Sequence, residues 1–444
     1  MAAVSGAAFA VSNGGSRHIQ TPVGTRPFRM RDGTRTQSTS QHRPAASANA
    51  PQRMPESDLP GLVGQLIVGR FVGPRPSSAF LARIRAGQLG SVILFTDNTS
   101  DGAEATRKMV HGLQVAAHKG HNPPLLIMTD QEGGNVRRLP GPPVLAPANM
   151  SSDAIATAES FATGKLLRSV GINVDLAPVA DIQQASGSFL GSRSFSSSPG
   201  LAAARACAFA SGLATARIAY TLKHFPGLGR ATVSTDAAAV SIGVSTAALR
   251  SDYAPYELCG AGPMALIMVS SASYPSMSGP LPAVMSQEIY RRELPIAVGR
   301  TVPLTISDDL QAPGVATQST AAPRAIAAGL DLAMYSTTEG GSAEAYSKLL
   351  ADARGEQYLS KRSGLPSRES RRSSRPSRDD PRNIALPNQH RLRKTPFASC
   401  PMRENTNEAA VQEPVLGCAK QQPRLCNVAK DTNHETAPWA CRRA

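Results

Sequence analysis

The sequence predicts a single-domain α/β fold, a (β/α)8 TIM-type barrel, flanked by two extensions that lack a core. Eight short aliphatic or β-branched runs lie between residues 59 and 355, with stretches rich in Ala, Leu and Arg between them. Four of the runs end in charged or hydroxyl side chains. Continuous apolar runs of this length are what strands buried on both faces look like, and alternation with helices implies parallel pairing. A doubly wound open sheet is the alternative architecture; the first run is not followed by the GxGxxG that such sheets use to hold a dinucleotide.

In chain order the runs are QLIVGRF (65–71), SVILF (91–95), LLIMTD (125–130), INVDLAPV (172–179), AYTLKHF (219–225), ALIMVS (265–270), PLTISDD (303–309) and LDLAMYS (330–336). Residues 1–58 are rich in Ser, Thr, Arg, Pro and Gly without periodicity, and the same composition returns at 356–444. Neither stretch can bury enough apolar surface to offset the entropy of ordering it, so both read as disordered. The organisation expected is therefore 1–58 basic extension, 59–355 catalytic barrel, and 356–444 Arg/Ser/Pro-rich tail.

The formal charge of +15 is concentrated in those ends: 1–58 carries seven Lys and Arg against three Asp and Glu, and 356–444 carries seventeen against nine. The barrel itself is nearly neutral. Basic tails without interleaved aromatics or a groove-reading motif do not indicate a nucleic-acid partner. No apolar stretch approaches the ~20 residues of a membrane span. None of the six cysteines forms a CxxC pair, which argues against zinc. Cys207 and Cys259, the two within the barrel, read as ordinary buried residues of a reducing compartment. Without a convincing signal peptide at the N-terminus, a cytoplasmic location is expected, with export left open.

Catalytic groups of a (β/α)8 barrel gather at the C-terminal ends of the strands, where the βα loops form one mouth. Asp130 and Glu132 follow LLIMT, Lys223 and His224 follow AYTL, Ser270 and Ser271 follow ALIMV, and Asp308 and Asp309 follow PLTIS. One such residue would read as a helix cap. Four strands agreeing point to a site. Carboxylates, cations and hydroxyl-binding groups around one pocket, with no metal cluster or phosphate loop, suit a neutral polyhydroxylated ligand. Sugar hydrolysis needs one group at the anomeric carbon and one at the leaving oxygen.

DQEGGNVRRL (130–139), GINVDLAPVADI (171–182), GSRSFS (191–196), KHFPGLG (223–229) and ISDDL (306–310), in this order, resemble glycoside hydrolase family 3, in its single-barrel β-N-acetylhexosaminidase branch. The resemblance spans about residues 59–350. It implies a retaining exo-β-glycosidase acting on β-N-acetylglucosaminides such as cell-wall fragments, with a carbohydrate as its partner and no metal or organic cofactor. It makes Asp308 the nucleophile, beside an Asp309 that would cap the next helix. It also assigns Asp130, Arg138, Arg193, Lys223 and His224 to holding the non-reducing sugar; His224 has the alternative reading of a structural histidine near the core.

The acid/base position departs from the pattern. Family hexosaminidases carry an Asp-Ser/Thr-His dyad on the loop after KHFPG, and here those positions read Ser234, Thr235 and Asp236. LGR also replaces the commoner HGD, and Asn135 stands where an Arg is often found. Asp236 can serve as acid/base if its pKa is raised; apolar Val233 and Ala237 to Ala239 would favour this and Arg230 would oppose it. The alternative is a sugar-binding barrel impaired in catalysis.

Overall fold

The computed structural model describes residues 58–316 and 320–363. Most of both predicted extensions lies outside the described residues. Ten strands are present: β1 (Ile67–Gly69), β2 (Ser91–Leu94), β3 (Leu126–Thr129), β4 (Gln131–Gly133), β5 (Val136–Arg137), β6 (Val174–Asp175), β7 (Ala219–Phe225), β8 (Ala265–Val269), β9 (Leu304–Ser307) and β10 (Ala333–Met334). All except β4 and β5, which form a separate antiparallel hairpin, pair in parallel in the order β10-β1-β2-β3-β6-β7-β8-β9. The ends of that order meet: Leu332 bridges Ile306, its N–H donating to Thr305 O at 2.9 Å and its carbonyl accepting from Ser307 N at 2.9 Å. The sheet is a closed (β/α)8 barrel, so the open-sheet alternative falls. Each of the eight apolar runs supplies one barrel strand.

The period-two geometry of a strand explains why those runs are apolar throughout. Leu126 and Met128 of β3, Leu266 and Met268 of β8, and Leu304 and Ile306 of β9 meet inside the barrel with Val68, Ile93 and Val174. Their neighbours Ile127, Ile267 and Val269 point outward, where the helices cover them. Interior layers of this kind fill the barrel as a core and leave its mouth to the loops.

The surrounding helices begin where the sequence supplies caps. The Oγ atoms of Ser77, Ser152 and Ser245 accept from the N–H of Phe80, Ile155 and Ala248 at the starts of Ser78–Arg85, Asp153–Ser169 and Thr246–Arg250. Pro199 opens Pro199–Thr215, where its missing N–H costs nothing. The last helix, Glu339–Ser363, runs through Gly355, where the composition changes. Among the described residues, no helix is long and apolar enough to cross a membrane.

One expectation is corrected here. Cys207 and Cys259 are not separate reduced residues; they form a disulfide with their Cα atoms 5.6 Å apart. Sequence distance hid the pairing: the two cysteines are 52 positions apart, and the chain passes through β7 and the loop above it before it returns beside its starting helix. The bond ties Pro199–Thr215 to Ala254–Cys259. Closing a loop of 52 residues restricts the unfolded chain by about 4 kcal/mol in the chain-entropy account. The Cys207→Ala/Cys259→Ala double variant is therefore expected to lose about 2–4 kcal/mol in urea unfolding, and reductant is expected to shift the wild type but not the variant.

Candidate active site

The buried ammonium of Lys223, on β7, lies 2.8 Å from Asp130 Oδ1 and 2.7 Å from Glu132 Oε1, so it joins the loop after β3 to a strand two places away in the barrel. Arg193 closes a two-pronged pair on Glu132, Nε and Nη2 each 2.8 Å from a carboxylate oxygen. Arg138 reaches Asp130 Oδ2 at 3.5 Å and stacks on Phe95, its guanidinium carbon 5.1 Å from the ring centroid. Four of the five predicted sugar-holding residues thus form one network, organised around Glu132. Burial alone would raise the two carboxylates, but Lys223 with Arg138 on one and with Arg193 on the other outweighs it, and both are held below their ordinary range. Burial would lower Lys223, and the same two carboxylates keep it raised and charged.

His224, the fifth, follows a cis peptide after Lys223. Its Nδ1 lies 2.7 Å from Asp181 Oδ2, and its backbone N–H donates to both oxygens of the same carboxylate at 3.1 Å. Leu228 N–H adds a second backbone donor to Asp181 at 2.6 Å. A carboxylate on Nδ1 fixes the ring and leaves Nε2 for a ligand. His224 is therefore a buried, satisfied histidine, an environment compatible with the sugar-holding role that the resemblance implies. The loop beyond it is pressed against the β6 side: a Cβ on Gly229 would lie 1.8 Å from Ile182 O, so only glycine fits.

Arg230 turns away from Asp236. Its Nη2 donates to Ala248 O at 3.0 Å and to Asp252 Oδ1 at 3.2 Å. Burial pushes the Asp252 carboxyl up to about 6, against the pull of Arg230. The expectation that Arg230 acts on Asp236 is corrected by this pairing. So is the expected desolvation, because Asp236, Val233 and Ala237 are all exposed. Asp236 sits in a turn that Ser234 makes, its N–H donating to Ser234 Oγ at 3.2 Å.

Asp308 follows β9, and its N–H donates to Val269 O at 3.1 Å on β8. Its Oδ1 accepts from Asp309 N–H at 2.9 Å and its Oδ2 from Thr235 Oγ1 at 3.4 Å. Burial raises the Asp308 carboxyl, nearby His224 opposes this, and the charge of Asp236 adds to it. His224 and Asp236 thus both act electrostatically on Asp308 across the mouth. Asp309 clips two loops together, accepting from Gln311 N, Ser336 N and Thr337 Oγ1. Ser270 and Ser271 serve the backbone, Ser270 Oγ accepting from Ala272 N and Ser271 Oγ donating to Asp309 O.

The sequence reading gave no role to Asp181 or Thr235 and left Glu132 out of the sugar-holding set. A signal existed for each. Glu132 and Asp181 are carboxylates within or just beyond apolar runs, where a buried charge needs a partner, and Thr235 occupies the central position of the altered dyad.

The profile of the glycosyl hydrolase family 3 N terminal domain matches residues 61–356. An uncharacterised secreted glycosyl hydrolase of Arthroderma benhamiae is 32% identical over 253 residues, covering 54% of this chain and 71% of the relative. A beta-hexosaminidase of Pseudomonas aeruginosa is 32% identical over 265 residues, covering 56% of this chain and 76% of that one. Among solved structures, a beta-N-acetylhexosaminidase from Beutenbergia cavernae superposes with a TM-score of 0.60 at 31% identity, over 68% of this chain and 94% of its own.

A carboxylate depressed in the fold binds fewer protons than its unfolded counterpart, so its contribution is complete above its ordinary value and is lost as the pH falls below it. For Glu132 that loss begins below about pH 4.5. Glu132→Gln is expected to cost about 3–5 kcal/mol at pH 7, since it takes the two-pronged partner from Arg193 and one of two carboxylates from Lys223. It is also expected to flatten the acid limb of the melting temperature against pH, read by thermal unfolding between pH 3 and 7.

Proposed function

The chain belongs to glycosyl hydrolase family 3 and is a glycoside hydrolase, and from that premise we propose that it is a retaining, exo-acting enzyme that releases β-linked N-acetylglucosamine from amino-sugar or cell-wall fragments. The observation that carries the proposal is the division of the mouth: Asp308, just after β9, stands across the barrel from the carboxylate–cation network that begins just after β3. The sugar's identity is supported by the likeness to the Pseudomonas and Beutenbergia proteins, which are named for hexosaminidase activity.

In this mechanism the network of Asp130, Glu132, Arg138, Arg193 and Lys223 fixes the ring so that C1 meets Asp308. Charged, directional donors hold sugar hydroxyls in one orientation, which removes much of the entropic barrier to attack. Asp308 attacks C1 and forms a glycosyl-enzyme ester as the C1–oxygen bond breaks. Asp236 in its acid form protonates the departing oxygen. As a carboxylate it then takes a proton from water, whose oxygen attacks C1 and frees Asp308. Its exposed turn gives water access to that second step. Thr235 holds the nucleophile through its Oγ1.

The Cys207–Cys259 bond supports an oxidising compartment in place of the cytoplasm expected from the sequence, since such bonds persist mainly outside reducing cytosol. The description of the Arthroderma relative as secreted agrees with that placement.

Asp308→Ala is expected to abolish turnover of 4-nitrophenyl N-acetyl-β-glucosaminide while circular dichroism stays native; unchanged turnover would remove Asp308 as nucleophile. Asp236→Asn is expected to lose on the order of 10²–10⁴-fold on substrates with poor leaving groups, and far less on a dinitrophenyl glycoside that departs without a proton. An equal loss on both would take the acid role from Asp236.

A further inference from the structure

The function proposed above leaves one departure from the family pattern unused, the Asn135 that stands in place of an Arg. It lies in the turn of the β4–β5 hairpin, which Gly133 shapes. That glycine adopts φ +109°, and a Cβ there would lie 2.2 Å from Leu145 O. Beside the hairpin is an open cleft of about 530 Å³, lined by Thr96, Asn135, Arg137, Arg138, Leu139 and Pro140 among others. That volume falls within the range of small-molecule sites. A short carboxamide at 135 leaves space that an arginine side chain would occupy.

Barrel order says which end of a bound sugar faces this cleft. β3 and β9 are four places apart in the closed ring of eight strands, so they stand on opposite sides of the mouth. With C1 at Asp308 on β9, the ring edge bearing O4 and O6 meets Asp130 and Arg138 beyond β3. Arg138 contacts Asp130 on one side and lines the cleft on the other. The cleft therefore lies past the non-reducing edge, away from the leaving group.

Its lining holds two guanidiniums and, among the described residues, no carboxylate. Arg138 is already paired with Asp130. Arg137 donates Nε to Gly134 O at 2.9 Å and Nη1 to Gly141 O at 3.0 Å. These neutral carbonyls orient it without cancelling its charge, and no ion pair to Arg137 occurs among the described residues. A fixed guanidinium without a counter-charge, at the rim of a cleft, favours an anion.

We propose that this cleft is a subsite for an acidic group, a carboxylate or a phosphate, carried at O4 or O6 of the bound sugar, and that Asn135 makes the room for it. The proposal rests on the glycosidase reading for the direction in which the sugar lies. Calorimetry on the full chain tests it with N-acetylglucosamine, its 4- and 6-phosphates, its 4- and 6-O-carboxymethyl ethers, and the matching methyl ethers as neutral controls. At one of the two positions an acid-bearing sugar is expected to bind at least about tenfold tighter than its methyl ether, a difference of about 1.4 kcal/mol. The stronger of phosphate and carboxymethyl identifies the acid. Asn135→Asp is expected to erase the gain and leave the affinity for N-acetylglucosamine unchanged, and Asn135→Tyr to exclude every ligand substituted at that position. Equal affinity for acid and methyl ether at both positions, or a gain that survives Asn135→Asp, overturns the proposal. Turnover of the 4-nitrophenyl glycoside is followed alongside: selective acid binding without turnover would retain the subsite and remove the glycosidase reading.

Discussion

The arrangement at the mouth depends on a single buried cation. Lys223 has almost no access to water, and its charge is sustained by Asp130 and Glu132, which are themselves kept ionised by Lys223 and two arginines. Removing charges from water is costly, and the cost is recovered only when each finds partners with good geometry. The network is thus cooperative: β3, β7 and the short helical turn that carries Arg193 must all be in register before any of these groups is stable. In the proposed glycosidase the same residues face the sugar, so the interaction that aligns the loops also orders the binding donors before a ligand arrives.

A second carboxylate does for the backbone what Glu132 does for the cations. Asp181 gathers the N–H groups of His224 and Leu228 together with the imidazole Nδ1, so the turn after β7 is bound to the end of the β6 run. Beyond that turn the chain is held by the Gly229 carbonyl, which accepts from Gln184 N and Ala185 N, by the ion pair of Arg230 with Asp252 and by the Ala231 carbonyl, which accepts from Phe189 N. From Thr232 to Asp236 the side-chain contacts are few: the local turn at Ser234 and the hydroxyl of Thr235 on Asp308. Rigidity is therefore graded along the loop, from a fixed base near His224 to an exposed tip at Asp236.

Much of this was legible in the sequence, and the reasons differ by element. The eight runs were readable because a strand covered on both faces has no polar position to disguise it, as ALIMV in β8 shows. The placement of Asp130, Lys223 and Asp308 around one mouth was readable because each lies at the C-terminal end of a barrel run. What escaped depended on distance in three dimensions. No local pattern says that Cys207 meets Cys259, that Arg230 chooses Asp252 over the nearer Asp236, or that Asp181 lies under His224. The expectation of a desolvated Asp236 failed for a related reason: Val233 and Ala237 are apolar, but the turn carries them out to solvent with it.

The graded loop also bears on how such an enzyme can change over evolutionary time. The proposed nucleophile follows β9 and the proposed sugar-holding ions belong to β3, β7 and the Arg193 turn, while the proposed proton carrier rides on an exposed turn whose link to them is the neighbouring Thr235 hydroxyl on Asp308. A change at position 236 alone leaves that link and the ion network in place, so its cost falls on one chemical step rather than on folding or substrate recognition. A lineage can thus exchange histidine for carboxylate at the tip through intermediates that still fold and still hold the sugar. The barrel is in this sense modular in time as well as in space: its slowly changing floor keeps the ligand, and its replaceable tip sets the proton chemistry.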